Sequence, residues 1–305
     1  MKILITGGAG FIGSHIAERM LKKGYKVVVL DNLSKKSKWQ MPSIVDFTKG
    51  DIRDLKIVKK ATEGVDYIFH QAALVSGIES FEKPKETMEV NVAGTLNVIK
   101  AAAKNKVKKI LFASSCAVYG NNPVPHKENM ELSPQSPYAV SKMSAENLLE
   151  MFFKKYGLKS VSLRYFNVFG PRQDDSSAYS AVIPIFIKKA LNNEPLIIYG
   201  TGLQTRDFIY VEDVAKANEF MMEKEDIGIF NVGSGEEINI RELVKMIINL
   251  TNSKSKIIFK KPRKGDIKKS LADISKIKKI GFQKKFSFEK GMEVLIKNYG
   301  KKRKI

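Results

Sequence analysis

The chain is poor in residues that several common chemistries require. It has one cysteine, Cys116, in 305 residues. An internal disulfide is therefore impossible, and no cysteine-based zinc site can form. A reducing, cytoplasmic setting is the expected one. The three histidines, His15, His70 and His126, stand far apart and lack local metal-ligand spacing. No metal is expected. No apolar run approaches the roughly 18 residues that a membrane span needs, and "MKILITGG" reads as a strand entering a turn rather than a leader. No membrane partner is expected.

Acidic residues are scarce too. Lys and Arg number 53 against 32 Asp and Glu, a formal net charge of +21. Such a balance raises the question of nucleic acid. Only eight of the basic residues are arginine, however. Base readout favours arginine, and single-strand binding wants interleaved aromatics. Neither pattern stands out. The lysines scatter over presumed helix faces, with one compact basic tail, "KKRKI". No nucleic-acid partner is expected; the excess suits a lysine-rich proteome and a site that holds an anion.

What is present is alternation. "KILIT" (2–6), "KVVVLD" (26–31), "VDYIFH" (65–70), "KKILFASS" (108–115) and "SVSLRYF" (160–166) read as strands buried on both faces. Residues 12–23, 86–104 and 137–156 read as helices between them. This predicts an α/β fold, a doubly wound parallel Rossmann-type sheet. The helix at 137 is well marked: Ser136 as N-cap, Pro137 at the first helical position, Gly157 past the end. After 166 the texture changes. A smaller C-terminal substrate-binding lobe is expected, with the chain partly returning to the sheet. The expected division is 1–166 plus about 206–233 for the dinucleotide domain, and about 167–205 plus 234–305 for the lobe.

"TGGAGFIG" leaves the first strand and opens the first helix. Gly7, Gly10 and Gly13 suit a tight turn, close approach to a pyrophosphate and close helix–strand packing. The pyrophosphate would sit on the free N–H groups of Phe11, Ile12 and Gly13 at the helix start. Asp31, followed by Asn32, ends the second strand, where an acid binds the adenosine ribose hydroxyls. An acid there repels a 2′-phosphate, so NAD is favoured over NADP, with Lys35 and Lys36 close by as the opposing influence. Asp51 and Ile52 of "GDIRD" are placed to flank the adenine. Ala72 and Ala73 of "HQAA" put small residues where a backbone approaches the cofactor.

"SPYAVSK" sets Tyr138 and Lys142 four apart on one helix face. A free tyrosine titrates near pH 10 and is a poor base at neutrality. A nearby ammonium, together with the positive ring of NAD⁺, favours the phenolate. Lys142 is also placed to hold the cofactor's ribose hydroxyls. "SSCAVYG" supplies a hydroxyl at a strand's carboxyl end, and Asn91 lies in "NVAGT".

With these pieces the chain resembles an extended short-chain dehydrogenase/reductase of the nucleotide-sugar epimerase/dehydratase group. The resemblance spans nearly the whole length: "TGGAGFIGSH", "HQAA", "NVAGTLNV", "SSCAVYG", "SPYAVSK", "RYFNVFGPRQ", "RDFIYVEDVA", "FNVGSG" and "KGDIKKSLADISK" occur in the family's order. It implies that Ser115, Tyr138 and Lys142 are catalytic and that Asn91, Tyr138 and Lys142 meet the NAD. It sets Asn167, Arg206 and Arg263 against the substrate nucleotide, with Ser115 and Tyr138 on the sugar. It implies a homodimer built through helices 86–104 and 137–156. Related dehydratases and decarboxylases place an acid after the catalytic hydroxyl; here Cys116 and Ala117 follow. Inversion at C4 of a UDP-hexose remains. By the same resemblance Ser270 gates the pocket beside the 2-substituent, and a small residue there leaves room for an N-acetyl group. The alternatives are a 4-epimerase of UDP-glucuronate or a dTDP-sugar, and a non-catalytic NAD-binding regulator.

Overall fold

A computed structural model describes residues 1–35, 37–174, 182–262 and 267–301. Its central sheet begins with β1 (Lys2–Thr6), β2 (Lys26–Asp31), β3 (Asp46–Lys49), β4 (Tyr67–His70), β5 (Lys109–Ser115) and β6 (Lys159–Tyr165). They lie in the order β6-β5-β4-β1-β2-β3, all parallel, and a seventh strand, Gly228–Val232, adds beside β6. The order reverses at β1, between β4 and β2. Ligands bind doubly wound sheets outside the strands' carboxyl ends at such a switch point.

Alternation along each strand builds two cores. Ile3, Ile5, Val29, Leu111 and Leu163 face helix α1 (Phe11–Lys22) and the helix Val211–Glu223. Leu4, Val28, Leu30, Ile68 and Ile110 face the helices Leu55–Ala61, Thr95–Lys104 and Pro137–Tyr156. Each such side chain, fully buried, contributes roughly 1.5–3 kcal/mol. The long helix has the predicted ends. Ser136 Oγ accepts from Ala139 N at 3.2 Å, Pro137 opens the first turn, and Gly157 closes the helix in the left-handed conformation.

Residues 86–104 are not one regular helix. A short α segment, Pro84–Met88, passes through a wider π turn, Glu89–Gly94, before the helix Thr95–Lys104. The turn coincides with Asn91, whose side chain is bonded to Leu74 and Ser141 instead of solvent. Such widened turns recur at functional sites.

A third core lies beyond the sheet. Phe186, Leu196, Phe208, Leu243, Ile247 and Met292 belong to it. Two small parallel strand pairs, Asn167–Phe169 with Phe208–Tyr210 and Leu196–Tyr199 with Ile257–Lys260, brace this lobe. The cores draw the domain line differently from the sequence in two places. Phe208 and Tyr210 pack in the lobe, whereas Ala272, Ile274, Ile277 and Phe282 return to the core of the sheet. The buried Asp207 explains the second crossing. Its carboxylate accepts from Ser234 N, Gly235 N and Ala272 N, stapling residue 272 to the sheet's last loop.

Candidate active site

A cleft of about 1240 Å³ opens along the carboxyl ends of the strands, between the sheet and the lobe. Gly7, Gly10, Phe11, Ile12, Gly13, Asp31, Asn32, Asp51, Ile52, Ala72 and Ala73 all line it. The three glycines do different things. Gly7 adopts φ +68°, and a Cβ there would lie 2.6 Å from Ala72 N. A Cβ on Gly13 would lie 2.2 Å from Gly7 O. These two permit the turn and the helix–strand contact. A Cβ on Gly10 would meet only Gly7 O, at 3.2 Å, and Gly10 is the N-cap of α1. Its missing side chain leaves open the approach to the first-turn N–H groups, which no helix hydrogen bond uses. This cradle fits a dinucleotide pyrophosphate.

Asp31 is already fixed. Its Oδ2 accepts from Ala9 N at 3.0 Å and its Oδ1 from Leu33 N at 2.8 Å. Asn32 Nδ2 donates to Asp51 Oδ2 at 2.9 Å. Arg53 pairs with Asp51, and that hydrogen bond, above all, holds the carboxyl down at about 2. Both carboxylates are thus oriented along the cleft as acceptors that fit ribose hydroxyls or adenine edges.

Ser115, Tyr138 and Lys142 meet in the middle of the same cleft. Tyr138 and Ser115 are neighbours on the cleft wall, and Ser115 Oγ accepts from Ala117 N at 3.1 Å. Lys142 Nζ donates to Ala113 O at 2.7 Å and lies 5.9 Å from the Tyr138 ring centroid. Lys142 alone does not acidify the phenol. Burial pushes Tyr138 up to about 12, and neighbouring Ser115 offsets only part of that. Burial also drives Lys142 down to about 7. The low dielectric around both groups disfavours each charged form, and the amine is turned toward Ala113 and the face of Phe112.

On the lobe side, Asn167 and Arg206 line the cleft. Asn167 Nδ2 donates to Asp207 O at 3.0 Å. Arg206 Nη1 is braced by Thr205 O and Ile267 O at 2.8 and 2.7 Å. Arg263 lies outside the described residues. Two expected contacts are not on the cleft wall. Ser270 is 4% exposed and sits behind the wall beside Cys116, whose thiol burial drives up to about 12. Asn91 is 1% exposed, with its amide spent on Leu74 and Ser141. It fixes the wall at Leu74 from behind.

Sequence reading missed Gln71, Tyr165 and Arg172, which also line the cleft. Tyr165 bonds Gln71 and Asn218, and Gln71 Nε2 is buried without a partner. Arg172 grips Glu18 with two bonds, 2.8 and 2.9 Å. Arginine is so rare in this lysine-rich chain that Arg172, inside "RYFNVFGPRQ", carried a usable signal. Among the described residues no cluster of three metal-ligating side chains occurs, and no helix is long and apolar enough to cross a membrane.

Comparison with known proteins agrees with this geometry. The profile of the NAD dependent epimerase/dehydratase family matches residues 3–233. A UDP-N-acetylglucosamine 4-epimerase from Methanobrevibacter ruminantium, solved with UDP-N-acetylmuramic acid, is 42% identical. The match covers 99% of this chain and 98% of that one, with TM-score 0.95. A UDP-glucose 4-epimerase from Thermotoga maritima, solved with UDP-glucose, is 37% identical over 99% and 100% of the two chains, TM-score 0.96. A UDP-glucose 4-epimerase from Thermus thermophilus, solved with NAD, is 37% identical over 98% and 99%, TM-score 0.92. With the family profile over three quarters of its length and near-complete overlap with these folds, the chain belongs to the NAD-dependent epimerase/dehydratase family.

Proposed function

We propose that this protein inverts C4 of a UDP-hexose, interconverting UDP-glucose with UDP-galactose and also the N-acetylated pair. The observation that carries the reading is the Ser115–Tyr138 hydroxyl pair, set where the glycine-loop half of the cleft meets the Arg206 half. The N–H groups after Gly10 bind the NAD pyrophosphate, and Asp31 and Asp51 take its adenosine end. Lys142 holds its ribose beside the reacting centre. NAD, when bound, would supply a reversible hydride acceptor for C4 and a positive ring whose charge favours a phenolate. Tyr138 takes the 4-hydroxyl proton and later gives it back. Ser115 orients the reacting oxygen. Arg206 and Asn167, with Arg263 proposed alongside, hold the nucleotide. Binding energy placed on the nucleotide leaves the 4-keto sugar free to turn its other face.

No carboxylate follows Ser115: Cys116 and Ala117 occupy those places. Water elimination and decarboxylation therefore lack their acid. The N-acetylated pair is included because a 42% identical relative is a UDP-N-acetylglucosamine 4-epimerase. The working unit in this reading is a homodimer, which covers apolar side chains such as Met88 and Met151 on the two expected helices, the latter 61% exposed.

The test is turnover of the purified, NAD-loaded protein on UDP-glucose, UDP-galactose and their N-acetylated counterparts, beside UDP-glucuronate and dTDP-glucose. Tyr138→Phe is expected to lower turnover by about 10³-fold or more while its denatured extract still releases NAD. Full activity in that variant removes the mechanism. Turnover confined to UDP-glucuronate or dTDP-glucose removes the substrate.

A further inference from the structure

The ion pair Glu146–Arg164 has no part in the chemistry above, yet it is buried one helical turn from Lys142. The two side chains are 3% and 2% exposed. Arg164 Nε and Nη2 donate to Glu146 Oε1 and Oε2 at 2.9 and 2.7 Å. Ser114 Oγ donates to Oε1 as well. A buried ion pair is seldom worth more than apolar side chains of the same volume. Stability alone does not account for one here.

Its placement does. Tyr138, Lys142 and Glu146 are spaced four apart and share one face of their helix. The end of β5 holds the last two. The Ala113 carbonyl takes Lys142 Nζ, and Ser114 donates to Glu146, while Ser115 stands next to Tyr138. Across the sheet Ser114 pairs in register with Arg164. Strand and helix are therefore bolted at two successive turns, those of Lys142 and Glu146.

We propose that Glu146 is a positioning residue for the acid–base pair: its carboxylate, fixed by Ser114 and Arg164, keeps the Lys142 amine protonated. This rests on the reading of Tyr138 and Lys142 as reacting groups. The titratable or charged neighbours of the amine are few. Tyr138 and Glu146 come from its own helix, Arg164 from β6 and His70 from β4. From β5, Phe112 and Ala113 bring no charge, nor does Asn91 from the π turn. Tyr138 and His70 are held neutral by burial. Arg164 points its charge into Glu146. Among the described residues Glu146 is the negative group that opposes the cost of burying this amine, whose pKa is near 7 even with that help.

The experiment titrates the amine itself. Protein labelled with [ε-¹³C]lysine is followed by NMR against pH, the Lys142 signal being identified by its loss in Lys142→Met. Glu146→Gln removes the charge. The double variant Glu146→Leu/Arg164→Met replaces the pair with apolar side chains and leaves no orphaned ion. The Lys142 midpoint is expected to fall by about one to two pH units in both, and the alkaline limb of turnover to move with it. If Glu146→Gln does not fold, the double variant carries the test. Ser114→Ala, which frees the carboxylate without deleting it, is expected to give a smaller fall of the same sign. An unchanged midpoint overturns the proposal whatever happens to turnover or melting temperature. A shifted midpoint in a protein that epimerises no UDP-sugar overturns the functional reading instead and leaves the Glu146 assignment standing.

Discussion

The two walls of the cleft are built by opposite means. The glycine-loop wall is made of backbone, and its shape comes from side chains that are missing. The lobe wall is made of side chains, Asn167, Arg206 and Arg172, carried on short strands and loops from separate parts of the chain. One wall offers N–H groups in a space kept open by glycine; the other offers charged and amide side chains. The first is broken by adding an atom, the second by removing one.

The largest effect is expected where an added atom has nowhere to go. A Cβ on Gly13 lies 2.2 Å from Gly7 O and 2.8 Å from Gly8 Cα, all backbone. Gly13→Ala must therefore push α1 off the strand. Chemical denaturation should show a loss of about 3 kcal/mol or more, at or beyond the upper end for overpacking, with no NAD in the denatured extract. Gly10→Ala sharpens the comparison. Gly10 has φ −77°, open to any residue, and only one contact at 3.2 Å. It should fold with stability changed by less than about 1 kcal/mol and still fail to retain NAD. Equal loss of stability in both variants would show that the loop is merely structural.

This difference also explains what the sequence made legible. The backbone wall is written contiguously: strand, glycine spacing and helix lie within residues 2–22, and local sterics decide them. The capped helix at 137–156 was legible for the same reason. The electrostatics of Tyr138 were not, because burial depends on what the rest of the fold stacks around it. Nor was the destination of Asn91 or Ser270. Their motifs placed them near the site, while the hydrogen bonds of Asn91 to Leu74 and the burial of Ser270 beside Cys116 arise from tertiary neighbours. The return of residues 272–282 to the sheet core was hidden likewise, since it hangs on the buried Asp207.

A second, smaller effect tests the support behind the backbone wall. Thr6 Oγ1 lies 2.6 Å from His70 Nδ1, and Thr95 Oγ1 lies 2.8 Å from Nε2. Thr95 gives its own hydrogen to Asn91 O at 2.6 Å. Nε2 must then carry the ring proton, and Nδ1 accepts from Thr6. The neutral ring is fully satisfied, and burial pushes its pKa down to about 3 from 6.5. The unfolded chain binds a proton near pH 6.5 that the folded one refuses until about pH 3. The stabilisation is thus complete above pH 6.5 and is lost as pH falls through that window. His15, lowered to about 4, acts in the same direction. Unfolding free energy measured from pH 7 to pH 4 should fall by up to about 1.4 kcal/mol per pH unit for each of these groups. His70→Gln should flatten that slope, though the variant starts from a lower stability. An unaltered slope would mean that His70 is charged in the folded protein.

The smallest effect belongs to the charged wall. Arg206→Ala removes a guanidinium without creating a collision, and its braces, Thr205 O and Ile267 O, are main-chain groups near the surface. The fold and the retained NAD should survive. A cation that grips the diphosphate equally in ground and transition states contributes uniform binding. Its loss should raise KM for the UDP-sugar about 10- to 100-fold, some 1.4–2.7 kcal/mol, with kcat changed only a few-fold. Arg206→Lys should recover part of this, because a lysine restores the charge but not the two-pronged geometry. A fall in kcat with KM unchanged would break the comparison. It would place Arg206 with the reacting groups rather than with the nucleotide, and the lobe wall would then share in the chemistry instead of only holding the substrate for it.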